Sequence, residues 1–263
     1  MPKLKILVGS VLALGAVATA FHFKGDEIAN KANELRYITN TEIVPALSDA
    51  AGTLEDVEYV ASVRSESRDS AVRVVTPSGQ GSGTYAKVGK HFVVITAAHV
   101  VRDEPIIMVE GRNGEFVYAM PMLKGTNSDV AVLLIPEMNS RRPVDYAPIK
   151  RPKKIERLIG DEMVYTGFPS RHDLLTISGT VAGYERGHII MHSYAWPGAS
   201  GSGVFDKRGR MIGVVSAVDI GIWSYFAPPQ LVEDIVWVAP LWDITEDEID
   251  NFLGSRGMGG AQE

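Results

Sequence analysis

An imidazole, a carboxylate and a hydroxyl stand at the edges of three apolar runs in this chain: His99, Asp129 and Ser200. Ser200 lies in residues 196–205, Trp-Pro-Gly-Ala-Ser-Gly-Ser-Gly-Val-Phe, among small residues that lead straight into an apolar strand. A serine hydroxyl attacks a carbonyl only where the surrounding backbone is bare enough to admit a substrate and to aim N–H groups at the oxyanion. Gly198, Gly201 and Gly203 carry no side chain, and Gly198 and Gly201 can take positive φ. A tight turn presenting the amides of Gly198 and Ser200 toward one point, as an oxyanion hole, is therefore sterically accessible.

Upstream, Phe92-Val93-Val94-Ile95-Thr96-Ala97-Ala98-His99-Val100-Val101 reads as a buried β-strand that ends in small residues and delivers a histidine at its edge. His99 is the candidate general base. Asn127-Ser128-Asp129-Val130-Ala131-Val132-Leu133-Leu134-Ile135 sets a carboxylate at the start of a second apolar strand, where it can be buried against an imidazole N–H. Asp129 would then fix the tautomer of His99 and stabilise the imidazolium. Asp103 and Asp145 are rival acids, but neither leads an apolar strand, and Ser202 is the rival nucleophile. His188 and His192, four apart in an expected strand, could share a face and hold a metal, yet no third ligand accompanies them.

The order histidine, aspartate, serine is that of chymotrypsin-like enzymes, distinct from the orders of α/β-hydrolases and subtilisins. Thr96-Ala97-Ala98-His99-Val100, Asp129-Val130-Ala131-Val132-Leu133 and Gly198-Ala199-Ser200-Gly201-Ser202-Gly203 resemble the three catalytic blocks of trypsin-like serine proteases, most nearly the bacterial high-temperature-requirement branch. Gln80-Gly81-Ser82-Gly83-Thr84, Tyr165-Thr166-Gly167-Phe168-Pro169, Met211-Ile212-Gly213-Val214-Val215-Ser216 and Tyr225-Phe226-Ala227-Pro228 resemble further segments of that branch, so the likeness runs from about residue 70 to about 238. Two departures stand out: Gly201-Ser202-Gly203 replaces a usual Gly-Gly-Pro, and Ala199 replaces a common Asn or Asp. Too few residues follow for the PDZ module usual in the branch.

The resemblance implies an all-β fold of two six-stranded antiparallel β-barrels and a serine endopeptidase working through an acyl-enzyme on protein or peptide substrates. No metal or organic cofactor is expected. It further implies a substrate pocket with Ser216, Ala217 and Val218 in its wall and Tyr194 near its base, suited to small or medium apolar residues. The alternative is a catalytically silent protein of the same fold that binds a peptide as an added strand.

The positioning elements follow from period and punctuation. Strands are expected near 70–76, 82–88, 91–96, 106–110, 116–123, 130–135, 163–167, 174–184, 187–192, 203–206, 211–218 and 222–227, divided by Gly, Pro and Asn. Leu231, Ile235 and Val238 recur at helical spacing, predicting a helix over 230–238, and Thr245-Glu246-Asp247-Glu248 is a capping box opening a final helix through Leu253. The expected organisation is a hydrophobic segment over 1–23, a helical spacer or pro-segment over 24–68, the two-barrel domain over 69–244 with its junction near 140–160, and a helix with a Gly-rich tail over 245–263.

A hydrophobic content of 45% and a mean hydropathy of +0.03 over 263 residues fit a packed globular chain. There are no cysteines, which excludes disulfides, thiolate metal sites and a cysteine nucleophile. A net charge of −6 argues against nucleic acid as a partner, although Lys150, Arg151, Lys153, Lys154 and Arg157 form a basic run, read as a solvated connection or as an anion or membrane patch. Lys3 and Lys5 precede an uncharged run from Ile6, and Ala18-Thr19-Ala20 offers a signal-peptidase site. Residues 6–23 are also long enough for an uncleaved membrane anchor. Either way the expected location is exported, periplasmic or secreted, or membrane-anchored with the protease domain outside the cytoplasm. Oligomeric state is not encoded in any of these features.

Overall fold

A computed structural model describes residues 61–255, apart from 126–127, 148–149, 171, 222–229 and 243. The hydrophobic segment, the spacer up to residue 60, the strand expected at 222–227 and the tail from 256 lie outside the described residues. No helix among the described residues is long and apolar enough to cross a membrane.

The chain enters through a helix, α1 (residues 61–70), and then forms β1 (Ala71–Thr76), β2 (Gly79–Val88), β3 (His91–Ala97), β4 (Met108–Glu110), β5 (Phe116–Tyr118), β6 (Met120–Lys124), β7 (Val130–Ile135) and the short β8 (Val144–Asp145). These build one sheet in the order β5-β4-β1-β2-β3-β7-β6, with β8 paired in parallel to β2. β5 and β6 occupy opposite ends of that order, yet only Ala119 separates them in sequence. The sheet must therefore curl until its ends meet, and it forms a half-barrel rather than an open layer. The next six strands are β9 (Glu162–Gly167), β10 (Leu175–Glu185), β11 (His188–His192), β12 (Gly203–Asp206), β13 (Met211–Gly221) and β14 (Gln230–Pro240). They close into a barrel in the order β10-β11-β14-β13-β12-β9.

β3 and β7 read as unbroken apolar runs because both of their faces are covered. Val94, Ala131, Leu133 and Ile135 pack inside the first sheet with Val72, Val74 and Tyr85. Val93, Ile95, Val130 and Val132 face the other way, into a core shared with Val164, Phe205, Met211 and Val214 of the second barrel. The two strands that lead to His99 and from Asp129 thus line the junction between barrels. A third core fills the closed barrel around Met163, Tyr165, Met191 and Val238. Each buried aliphatic side chain of this kind contributes about 1.5–3 kcal/mol relative to exposure.

One expected helix is a strand. Residues 230–238 belong to β14, which pairs with β11 and β13. Val236 and Val238 are buried in the closed-barrel core while Ile235 and Trp237 take the other face of the pleat, and packing on the barrel rewards that period of two over the coincidental helical spacing. The end of the expected spacer is integrated into the domain: Val63 of α1 is 4% exposed in the junction core, and the hydroxyls of Ser67 and Thr166 lie 2.6 Å apart. The last helix, α2 (Glu246–Ser255), has the reciprocal cap that its sequence predicts. The Thr245 amide donates to Glu248 Oε2 at 2.8 Å and the Glu248 amide to Thr245 Oγ1 at 3.2 Å.

Candidate active site

β3 ends at Ala97 and passes into a single 3-10 turn, Ala98–Val101, that carries His99 out of the sheet. The Ala98 amide donates to the Asp129 carbonyl at 3.1 Å, anchoring that turn to the start of β7. Asp129 Oδ1 accepts from the His99 amide at 2.9 Å, and Oδ2 lies 2.6 Å from the ring Nδ1. Oδ2 also accepts from the Ser216 hydroxyl at 2.6 Å. Burial pushes the Asp129 carboxyl up, but the hydrogen bonds from the His99 ring and Ser216, the charge of His99 and the His99 amide together outweigh it and hold the group below the usual carboxylate range. An ionised carboxylate only accepts, so Nδ1 carries the hydrogen and Nε2 of the neutral ring keeps its lone pair. The imidazole is 41% exposed and the carboxylate 20%, which leaves the ring approachable from solvent while its orienting partner is covered.

Ser200 is half-buried in a turn set by two glycines. Gly198 has φ +96° and Gly201 φ +89°. A Cβ on Gly201 would collide with the Ser82 carbonyl and the Thr96 hydroxyl, so residue 201 is pressed against the end of β3, just before His99. The Gly201 amide donates to Val215 at 2.7 Å, and the Ser200 carbonyl accepts from the Ser82 amide at 2.8 Å. The Pro197 carbonyl accepts from Ser170 N, and the Ala199 carbonyl from Ser202 N at 2.9 Å. In a trans peptide N–H and C=O point in opposite directions. The Gly198 and Ser200 N–H groups therefore face away from those bonds, and among the described residues neither has an acceptor. The Ser200 hydroxyl likewise makes no hydrogen bond among the described residues, with His99 or any other group.

The remaining sequence candidates separate. Ser202 is fully buried, which removes it as a nucleophile. Ser216, expected in the pocket wall, spends its hydroxyl on Asp129, a role its sequence context did not assign. Ala217 is exposed beside it, and Val218 is half-buried against the closed-barrel core. Tyr194 is 50% exposed and stacks on Trp196 with ring centroids 6.2 Å apart. Asp103 and Asp145 are exposed, and among the described residues neither pairs with an imidazole. His188 packs edge-on to Trp237, and His192 Nε2 lies 3.8 Å from Asp234 Oδ2. Among the described residues no three His, Cys, Asp or Glu side chains gather as a metal site. Sequence reading missed Ser82, whose hydroxyl donates to the Gly198 carbonyl; its signal was a lone hydroxyl between two glycines in a buried strand.

A closed barrel and a curled half-barrel, with an aspartate-oriented histidine at their junction, define a protein of the chymotrypsin-like double-barrel class. Residues 81–214, about half of the sequence, match the family described as trypsin-like peptidase domain, and the chain belongs to that family of serine-protease hydrolases. Among solved structures, it is similar to the serine endoprotease from Yersinia pestis, with a TM-score of 0.53 and 21% identity over 75% of this chain and 65% of that one. A Mycobacterium tuberculosis protein, crystallised as an inactive serine-to-alanine mutant, superposes with a TM-score of 0.51 and 17% identity over 76% of this chain and 93% of that one. The chain thus spans 65% of the length of the Yersinia protein. No curated protein sequence matches it.

Proposed function

We propose that this chain is a serine endopeptidase in which Ser200 is the nucleophile, His99 the general base and Asp129 the residue that orients and stabilises His99. The observation that carries this reading is the 2.6 Å contact of Asp129 with His99 Nδ1, which leaves Nε2 as the free base at the corner against which the Ser200 turn is packed. In a free enzyme the bond from serine to histidine is commonly long and tightens only when substrate fills the site. His99 takes the Ser200 proton as the oxygen attacks the substrate carbonyl, and the Gly198 and Ser200 amides receive the oxyanion. His99 then protonates the leaving amine, an acyl-enzyme forms on Ser200, and water repeats the sequence to release the acid. Asp129 remains ionised throughout and balances the charge that His99 gains and loses.

Within the family, the quoted motifs favour the high-temperature-requirement branch. Ala217 and Val218, with no charged group of their own, support a preference for small or medium apolar residues at the acyl position. Residues 6–23 support export or anchoring, with the barrels outside the cytoplasm. The direct test is hydrolysis of an unfolded protein such as casein by the wild type and by Ser200→Ala. Cleavage by the wild type alone is expected. Equal cleavage by both, or by neither, rejects the assignment of Ser200. Mass spectrometry of the fragments reads the preference in the same experiment, and dominant cleavage after Lys, Arg or Glu contradicts it.

A further inference from the structure

Beside the His99 and Asp129 pair lies a cavity of about 780 Å³ whose wall includes Arg102, Lys124, His188, Ser216, Ala217 and Trp237. Its charge is the reverse of the molecule's. The chain carries a net −6, yet this cavity is bounded by two exposed cations from separate elements, Arg102 just past the 3-10 turn of His99 and Lys124 at the end of β6. Neither is in an ion pair or side-chain hydrogen bond with any described residue. The one carboxylate among the described residues of the wall, Asp129, is already occupied by His99 and Ser216. His188 adds an imidazole held by the Arg186 carbonyl at 3.1 Å and edge-on to Trp237, whose ring and Ala217 supply apolar surface.

We propose that this cavity is a subsite for an acidic side chain, Asp or Glu, of a polypeptide substrate, close to the bond that is cut. The proposal rests on the reading of His99, Asp129 and Ser200 as a protease site. A polypeptide held with its carbonyl at Ser200 and His99 must lay a neighbouring residue against the walls that His99 shares with Arg102 and Ser216. The cavity is within the size range of ligand pockets and larger than one small anion needs. Arg102 and Lys124 supply the positive charge for the carboxylate, and Trp237 and Ala217 the apolar surface for its aliphatic stem. The acidic residue is thus selected beside the apolar one at the acyl position, with Ala217 in the wall of both.

A labelled peptide library, with Glu, Gln or Lys fixed at one position at a time, tests this in two arms. One arm measures binding to the Ser200→Ala protein, and the other cleavage by the wild type. Glu is expected to exceed Gln at one position by about tenfold in both arms, the size that two exposed ion pairs supply together. The advantage should shrink near molar salt, where such pairs are screened. The double substitution Arg102→Glu with Lys124→Glu is expected to invert the order of Glu and Lys at that position. Equal treatment of Glu, Gln and Lys everywhere, or a Glu preference that survives the double substitution, overturns the subsite. Absence of all cleavage by the wild type is a failure of the protease reading instead, and the binding arm still decides the subsite.

Discussion

The hydroxyl of Ser82, in β2 of the first sheet, donates a 2.7 Å hydrogen bond to the carbonyl of Gly198, in the turn that carries Ser200. The same oxygen accepts from the Phe168 amide at 2.9 Å, and the Ser82 amide donates to the Ser200 carbonyl at 2.8 Å. The Ser82 carbonyl accepts from Thr96 Oγ1 at 2.7 Å, on the strand that leads to His99. One fully buried serine therefore holds the carbonyls of Gly198 and Ser200 and ties them to the histidine strand. Ser82→Ala leaves the Gly198 carbonyl and Phe168 amide unpaired and should cost about 1–3 kcal/mol of stability. If the turn aims the oxyanion donors, kcat should fall by about tenfold or more with a much smaller change in KM. A lower melting temperature with kcat intact would reduce Ser82 to a purely structural bond.

Asp129 sets the acid limit of the site. Its carboxyl is held below the ordinary value, so the stability it contributes is fully present above the unfolded-chain pKa of about 3.9 and is lost as pH falls through the lower folded value. The difference in melting temperature between the wild type and Asp129→Asn should accordingly be present at about pH 5 and shrink toward zero in stronger acid. At neutral pH Asp129→Asn should lower kcat by about 10⁴-fold, because an amide in that place favours the wrong imidazole tautomer. Ser216→Ala removes one of the bonds that hold the carboxyl down, so the acid midpoint of the melting curve should move upward.

The turn at Gly201 permits no side chain. Its φ of +89° costs an L-residue about 1–2 kcal/mol before any contact is considered. A methyl group there also meets the Ser82 carbonyl, and a backbone oxygen cannot rotate away. Gly201→Ala should therefore lower the denaturant midpoint and abolish turnover together, whereas Gly89→Ala, also at positive φ but with open space around it, should cost only the backbone preference. Comparing the two variants by urea unfolding separates collision from strain.

What the sequence revealed divides along a physical line. Residues whose chemistry depends on local backbone were legible: the glycines around Ser200, the capping box of Thr245 and Glu248, and the strand edges that present His99 and Asp129. Residues whose role depends on a partner far along the chain were not. Ser82 meets Gly198 across 116 positions and Ser216 meets Asp129 across 87, and neither local segment specifies which distant residue is the partner. β14 was misread for a related reason: Leu231, Ile235 and Val238 satisfy a helical period by chance, while the pairing with β11 and β13 that selects the strand is supplied by distant residues. The dual-faced burial of β3 and β7 was visible as unbroken apolar runs, but not that one of those faces forms the junction between the barrels.

Labelling with a fluorophosphonate probe tests most directly whether Ser200 is a nucleophile activated by His99 and Asp129. The wild-type protein should acquire one covalent adduct, mapped by peptide mass to Ser200, with Ser200→Ala unlabelled and His99→Ala labelled far more slowly. Absence of label on a folded wild-type protein, or equal label on Ser200→Ala, would contradict the assignment.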